Sequence, residues 1–555
     1  MSDRRDETPS GRYETPSEGK RMSRVLRASA IMAAGTMVSR VTGFVRTAVL
    51  AAAIGTFALG EAYSVAYTIP LILFDLLIGG ILSSVVVPMI VKRQRSDADG
   101  GRAYEQRLMT LGVVTLTLMA VLAVALAEPL ISLYSTGWDP RQTEVAVRLA
   151  QFILPQIAFF GVGAIAGAIL NTRDRFAAPM WAPVLNNIVM IGVAVTYYVK
   201  LGGAGTDVAT ITDADLALLG LGTTAGIVVQ CVVLVISLHR VGFRFRPRFD
   251  LRNAGLGEMG RTGVWTFAYV GISQLGFLIT TNLATGAGER APGAGNAAYS
   301  YAYQFFQLPY GIIAVSVITA MLPRMSRGVA DGQLDTVREE FSSGVRLVSV
   351  LLVPAGLLLM VLGPAVTVLI FSWGNMTVDS AVYIGNVLQV FGLALVPFSI
   401  FQLLLRVFYS FGDTRTPVFL AAGNVAVNAT LSLVAYHTLP PRYIVMGLAS
   451  AFTVAYVVGA AVAWILAARR VGGLAGRRVA AGLSRMYLAA LPAAAFALGV
   501  LWLTQELTGL DALSAAIMLA AGGGLGMVLY LAIAHRTRIP EVSSIVGMVA
   551  GRVGR

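Results

Sequence analysis

Apolar runs of about 20 residues recur along the whole chain, each long enough to cross roughly 30 Å of hydrocarbon. About fourteen can be counted, centred near residues 40, 75, 115, 157, 188, 227, 270, 312, 355, 395, 425, 456, 495 and 523. Inside lipid a backbone must satisfy its own hydrogen bonds, so segments of this length become helices. Composition agrees: of 555 residues, 56% are hydrophobic and only 13% charged. That is too little charge to cover a soluble protein of this size. The expected fold is an all-α polytopic membrane protein whose core is the helix bundle itself.

Residues 1–24 are polar, mixed in charge and rich in Ser, Thr and Pro. Such a segment cannot bury apolar surface and is expected to be a disordered tail. The apolar run behind it is too long for a signal core and has no small-residue cleavage site, so it reads as a retained first helix. The net charge of +13 invites a nucleic-acid partner, but its distribution excludes one. Of 42 Lys and Arg, 34 fall in segments that alternate counting puts on the cytoplasmic side. Only Arg141, Arg148, Lys200, Arg290 and Arg442 fall outside, and Arg40, Arg46 and Arg406 lie within spans. This is the positive-inside pattern, and it predicts that both termini are cytoplasmic. The single cysteine, Cys231, allows no intrachain disulfide, and the three histidines are too scattered for a metal site. With no Gly-Lys-Ser/Thr nucleotide loop either, neither a cofactor nor ATP hydrolysis is expected.

The chain contains an internal echo. "ILNTRDRFAAPMWAPVLNN" (169–187) resembles "FYSFGDTRTPVFLAAGNVAVN" (408–428). In both, a helix ends in a charged turn, then comes Pro179 or Pro417, then Asn186 or Asn424 seven residues later. "VVPMIVKRQR" (86–95) pairs with "MLPRMSRG" (321–328) at a similar offset. Duplicated six-helix halves are therefore expected over 25–240 and 254–470. A helix pair (484–536) and a cytoplasmic tail (537–555) follow. Six is even, so the pseudo-two-fold runs along the membrane normal, as in parallel-repeat transporters with a cavity between the halves.

The polar residues inside spans carry the functional signal. Arg40 and Arg46 lie in the first span, where each costs roughly 2.5–3.5 kcal/mol if it faces lipid. Six residues apart, they point about 120° away from each other on an ideal helix. Gly35 and Gly43 could distort that helix and bring both to one cavity. The second span holds Glu61 near its outer end and Asp75 near its middle. Two readings stand side by side: structural pairs, Arg40 with Asp75 or Arg46 with Glu61, or arginines that face water and bind an anion. Guanidinium suits phosphate because its planar fork donates two parallel hydrogen bonds and keeps its charge. In the second half, the equivalent span carries Tyr299, Tyr301, Tyr303, Gln304 and Gln307 but no charge. Arg406 reads as a residue that snorkels to the cytoplasmic surface.

"SRVTGFVR" (39–46), "GAILNTRDRFAAPMWAPVLNNI" (167–188), "LPYGIIAVSVITAMLPRMSR" (308–327) and "FYSFGDTRTP" (408–417) together resemble the MurJ/MviN family. These are lipid II flippases of the multidrug/oligosaccharidyl-lipid/polysaccharide exporter superfamily. The resemblance covers about residues 25–540. It implies fourteen helices, two six-helix lobes around a cationic cavity, and two C-terminal helices that form a groove for the lipid tail. It also implies a bacterial cytoplasmic-membrane location and no bond chemistry. The implied cargo is the undecaprenyl-diphosphate-linked disaccharide-pentapeptide precursor of peptidoglycan (lipid II). Membrane lipids and the peptidoglycan-synthesis machinery are further candidate partners. The family's Ser-Arg pair falls on Ser39 and Arg40, its second arginine on Arg46, and its early acid of the second helix on Glu61. The chain departs from the pattern elsewhere. Thr47 stands where an acid often follows the second arginine, and Phe74, next to Asp75, where many members have arginine. Gln304 and Gln307 stand where an arginine and an acid precede the proline of the eighth helix. The substrate-binding set expected is Ser39, Arg40, Arg46, Glu61, Asp75, Gln304 and Gln307. Another polyprenyl-diphosphate-linked saccharide, or a drug or cation exchanged by antiport, are the alternative cargoes. A membrane-embedded glycosyltransferase would want paired carboxylates in a loop for a divalent metal, and only Asp97 and Asp99 come near that.

Overall fold

The computed structural model describes residues 16–74, 87–135, 137–201, 207–250 and 256–542, and these contain helices and turns but no strand. The first group comprises α1 (Pro16–Ile54), α2 (Ala58–Phe74), α3 (Arg102–Ala125), α4 (Pro140–Thr172), α5 (Ala177–Leu201) and α6 (Asp213–Arg240). The second comprises α7 (Leu256–Arg290), α8 (Asn296–Ala330), α9 (Leu334–Phe371), α10 (Val378–Ser410), α11 (Arg415–Thr438) and α12 (Ile444–Val471). Helices α13 (Gly476–Thr508) and α14 (Ala512–Arg536) follow. Thirteen of these carry stretches long and apolar enough to cross a membrane, and α2 is the shorter one at 17 residues. The architecture is that of a fourteen-helix membrane protein.

Packing follows the two groups. In the first, α1 packs on α5, α3 on α4, α4 on α6 and α5 on α6. Six helices later the same partners recur: α7 on α11, α9 on α10, α10 on α12 and α11 on α12. The echoed asparagines occupy matching places. Asn186 leans on Gly226 of α6 and Asn424 on Gly459 of α12, each with its Oδ1 buried and without a hydrogen-bond partner. The amides nearby tie the helix pairs together. Asn187 donates to the Ser39 carbonyl and to Thr42 of α1, both at 3.0 Å, and Asn428 donates to Thr280 of α7 at 3.3 Å.

Lipid tails are as apolar as Leu, so close packing has to hold such helices together. The tightest approach joins α9 and α10, where Gly356 faces the Gly392 carbonyl and Gly392 faces the Gly356 carbonyl. A side chain at either position would wedge the backbones apart. Helices α13 and α14 attach to the outside of α9, where Tyr530 donates to the buried Val350 carbonyl at 2.7 Å.

Two boundaries differ from the sequence expectation. Helix α1 begins at Pro16, inside the segment expected as a disordered tail. Proline is at home in a first helical turn, where no N–H is needed, and the helix then runs on into the membrane. The start of the expected C-terminal tail is docked: Ile539 and Val542 are buried, and Glu541 pairs with Arg346 of α9 at 2.8 Å.

Candidate functional site

Helix α1 is continuous through both arginines, and its glycines are contact points for a neighbouring helix. Gly35 receives Trp181 and Gly43 receives Asn187, both from α5. The two arginines accordingly diverge, as their spacing dictates. Arg40 reaches across to the second group and donates from Nη2 to the Gly311 carbonyl at 3.3 Å. Gly311 lies in a π-helical turn, Tyr310–Ala314, that interrupts α8. The guanidinium lies directly against Gly311, where a Cβ would collide with it. Such π-turns misalign backbone groups and often mark functional positions. Arg46 stays within the first group, its Nη1 3.7 Å from the Met190 sulfur of α5. Among the described residues, neither arginine has a carboxylate within ion-pair distance. Asp75, the expected partner of Arg40, lies outside the described residues.

Glu61 is not beside Arg46. It is buried at the N-terminus of α8, where its Oε1 accepts the Ala297 N–H at 2.9 Å and packs against Gly295. The first four N–H groups of a helix have no partner within the helix, and a carboxylate there satisfies both a donor and the helix dipole. Next to it, Asn296 donates to Ser64 of α2 at 3.1 Å. Asn375, in the turn between α9 and α10, reaches the last carbonyls of α1: its N–H meets Ala52 O at 2.8 Å and its amide meets Ala53 O at 2.9 Å. Asn282 of α7 donates to Leu133 O at 2.7 Å. One end of the interface between the two groups is thus closed by hydrogen bonds onto helix ends.

Ser39 is half-buried and serves α5 through its backbone carbonyl. Gln304 accepts from the Thr47 hydroxyl at 3.0 Å, bridging α8 and α1. Both positions depart from the pattern that the resemblance implies, and they meet each other. Beside them Phe44 and Phe305 pack edge to face with centroids 4.8 Å apart. Gln307 donates to the Tyr303 hydroxyl at 2.7 Å. Tyr303 in turn lines a cavity of about 360 Å³ between α2 and the second group, where hydroxyls and amides such as Gln274, Tyr299, Asn424 and Asn428 stand among apolar side chains such as Phe277, Phe401 and Phe452. Among the described residues no charged side chain lines it. The structure therefore sorts six of the seven expected residues, Asp75 lying outside those described. Arg40 and Gln304 lie at the interface between the groups, Arg46 and Ser39 inside the first, Gln307 by the uncharged cavity, and Glu61 at a helix end. Sequence reasoning passed over Gly311 and Asn375. The Pro-Tyr-Gly of 309–311 was the available signal for the first, and a glycine-asparagine turn between two long spans for the second.

Comparison with known proteins gives a consistent answer. Residues 50–519 match the family model described as lipid II flippase MurJ. A probable lipid II flippase MurJ from Rhizobium meliloti (strain 1021) is 30% identical over 519 residues, 91% of this chain and 92% of that one. A lipid II flippase MurJ from Burkholderia cenocepacia is 26% identical, covering 73% of this chain and 77% of its own. Among solved structures, a lipid II flippase MurJ in an inward closed conformation superposes with a TM-score of 0.72 at 18% identity, over 92% of this chain and 99% of that one. An inward-facing multidrug transporter of the MATE family in the MOP superfamily gives 0.62 at 15% identity, over 78% and 94%.

Proposed function

This chain belongs to the lipid II flippase MurJ family, and from that premise we infer that it carries lipid II from the cytoplasmic to the outer leaflet by alternating access. The observation that carries the mechanism is Arg40, a guanidinium that crosses from one helix group to the other and ends on a backbone carbonyl, with no acid beside it among the described residues. A single carbonyl uses one of its five donors, leaving the fork free for an oxyanion. In this reading the diphosphate of the cargo takes that place. Arg46 adds charge from inside the first lobe, while Ser39, Gln304 and Gln307 offer neutral hydrogen bonds to the sugar and peptide. The polyprenyl tail stays in lipid. Exchanging hydration for fixed protein dipoles removes the main cost of taking a charged, hydroxyl-rich head across hydrocarbon. Flipping makes and breaks no covalent bond.

Residues 25–240 and 254–470 act as the two lobes that rock, and the closed seam at Glu61 and Asn375 is the outer gate. Asp75 serves as a balancing charge or as a site for a coupling cation. Both termini face the cytoplasm. The deciding experiment reconstitutes the protein into vesicles with labelled lipid II in one arm and a cationic drug in the other. Transport of lipid II alone is the expected result, and transport of the drug alone overturns the reading. For orientation, cysteines at the exposed Ser96 and Arg477 should react with impermeant reagents only in opened membranes, and one at the exposed Trp373 should react in intact cells. Trp373 is preferred to its neighbour Gly374, where a side chain would run into the Ala52 carbonyl.

A further inference from the structure

The segment that follows α6 is fastened across the start of α3. Arg173, just past α4, donates to the Val241 carbonyl at 3.3 Å, and Phe243 is buried. Gln106 of α3 donates to the Arg244 carbonyl at 3.1 Å, and the Arg248 N–H donates to the Thr110 hydroxyl at 3.0 Å. Arg107 pairs with Asp250. The backbone of this strap, and its one acid, are thus tied to the protein. Its other charges are not. Arg240, Arg244, Arg246 and Arg248 are all exposed, interleaved with the exposed rings of Phe245 and Phe249. Among the described residues no carboxylate is within ion-pair distance of any of the four.

The strap crosses one end of an apolar groove. Gln106 and Thr110, which hold it, share a face of α3 with Val113, Thr117 and Val124, because residues three and four apart stack along a helix. That face leads into a groove of about 590 Å³ between α3, α4 and α6. Thr117 and Cys231 apart, its lining is apolar, with Val121, Val232, Val235 and Ile236 exposed. All three helices are long and apolar enough to span a membrane, so the groove opens to hydrocarbon. Left empty, a crevice of this size forfeits dispersion contacts along every wall, and the filler at hand in a bilayer is a lipid chain. We propose that this flank of the first lobe binds one membrane phospholipid with an anionic phosphate head. Its chain fills the groove between α3, α4 and α6, and its head meets Arg244, Arg246 and Arg248. A neutral lipid would leave the arginines unanswered, and a soluble anion would leave the groove empty. An anionic lipid answers both, since guanidinium forks suit phosphate and aromatic rings suit the membrane interface. In the orientation proposed above, the head belongs to the cytoplasmic leaflet. None of the residues proposed to hold the transported head lines this groove, so the site goes beyond the flippase reading and does not rest on it.

The test uses the purified full chain in detergent, with phosphatidylglycerol as probe and phosphatidylcholine of the same chains as its zwitterionic control. Bound lipid is counted by native mass spectrometry. Arg244→Gln, Arg246→Gln and Arg248→Gln should each weaken phosphatidylglycerol binding about 5-fold, the worth of one basic side chain at an anionic surface. The triple variant should lose the preference for phosphatidylglycerol and keep its phosphatidylcholine binding. Val235→Trp places a ring where the chain should lie and should weaken both lipids by at least ~10-fold; Val121→Trp, from the α3 wall, does the same should the first variant fail to fold. Equal affinity of the parent chain for the two lipids, or unchanged phosphatidylglycerol binding in the triple variant, overturns the proposal. If both tryptophan variants bind like the parent, the arginines form only a basic surface and the groove site is wrong. If glycerol 1-phosphate competes as well as the intact lipid at equal concentration, the ligand is a soluble anion and the lipid site falls. If lipid II displaces phosphatidylglycerol and its binding is lost in the same variants, the occupant is the transported cargo, and the separate site falls while the flippase reading stands.

Discussion

The interface between the two lobes has two differently built ends. At the end that holds Glu61 and Asn375, most polar groups meet partners across the gap, with the Glu61 Oε2 buried and unpaired as the exception. A carboxylate accepts a helix N-terminal N–H, and an asparagine satisfies the last carbonyls of α1. At the other end Arg40 crosses to one carbonyl, while behind it, within the first group, Arg46 lies beside a sulfur. Backbone groups at helix ends are orphaned in every helix, so a seam that satisfies them serves structure. A guanidinium in a membrane that has no carboxylate partner among the described residues serves structure badly, which is what makes it a candidate for a ligand. The distinction separates Glu61 from the arginines, although all three stood in one candidate list by residue type.

The most forceful way to break this comparison is at the arginines. Arg40→Ala and Arg46→Ala should each abolish lipid II transport, measured by complementation and in vesicles, while leaving the melting temperature close to the parent value. A structural charge would act otherwise, because removing one member of a buried pair typically costs ~3–5 kcal/mol of stability. Folded but inactive single variants confirm the inner end as an anion site. Activity restored by combining Arg40→Ala with Asp75→Ala would instead make Arg40 a strut.

Glu61 should show the opposite behaviour. Glu61→Ala leaves the Ala297 N–H buried and unpaired, a loss of about 1–3 kcal/mol, whereas Glu61→Gln keeps an acceptor and should cost less. Gly295→Ala should be at least as damaging, since its Cβ would collide with the carboxylate and approach Gly288. Thermal unfolding of the three variants reads this directly. If Glu61→Ala melts like the parent chain yet transports nothing, the outer end is not simply structural, and Glu61 joins the cargo or ion site.

What the sequence shows and what it conceals follow from range. A hydrophobic run of about 20 residues is a local property, and so is the clustering of arginines in alternate connecting segments, so about fourteen spans were legible without any contact being known. The repeat was legible because Pro179 and Pro417, with their following asparagines, punctuate the chain locally. Spacing also told correctly that Arg40 and Arg46 diverge. It could not tell what each meets, because Gly311 and Met190 lie 271 and 144 residues away. Glu61 was read as a charge seeking a charge. Its partner is a backbone N–H, and every residue except proline has one, so no side-chain pattern announces it.

The smallest expected effect tests a contact between the two ends of the comparison. Thr47 and Gln304 bridge the lobes with one neutral hydrogen bond, at positions where the family pattern has an acid and an arginine. Thr47→Val and Gln304→Leu should each cost about 0.5–1.5 kcal/mol, and the double variant should cost clearly less than the two together. The melting temperature alone does not reveal what the bond is for, so the cycle needs a second readout. A bond across the lobes holds the closed seam only if it is absent when the lobes separate on the outside. Breaking it then shifts the balance toward that other state by about 2- to 10-fold, the same free energy expressed as a population ratio. Labelling of a cysteine in the seam, at Ser64 under its bond from Asn296, should accelerate from the outside by that factor in either single variant and no further in the double. Equal labelling rates in all four proteins would mean that the bond persists in both states. Thr47 and Gln304 would then be packing partners rather than part of the mechanism, and only the arginines would distinguish the inner end from the outer.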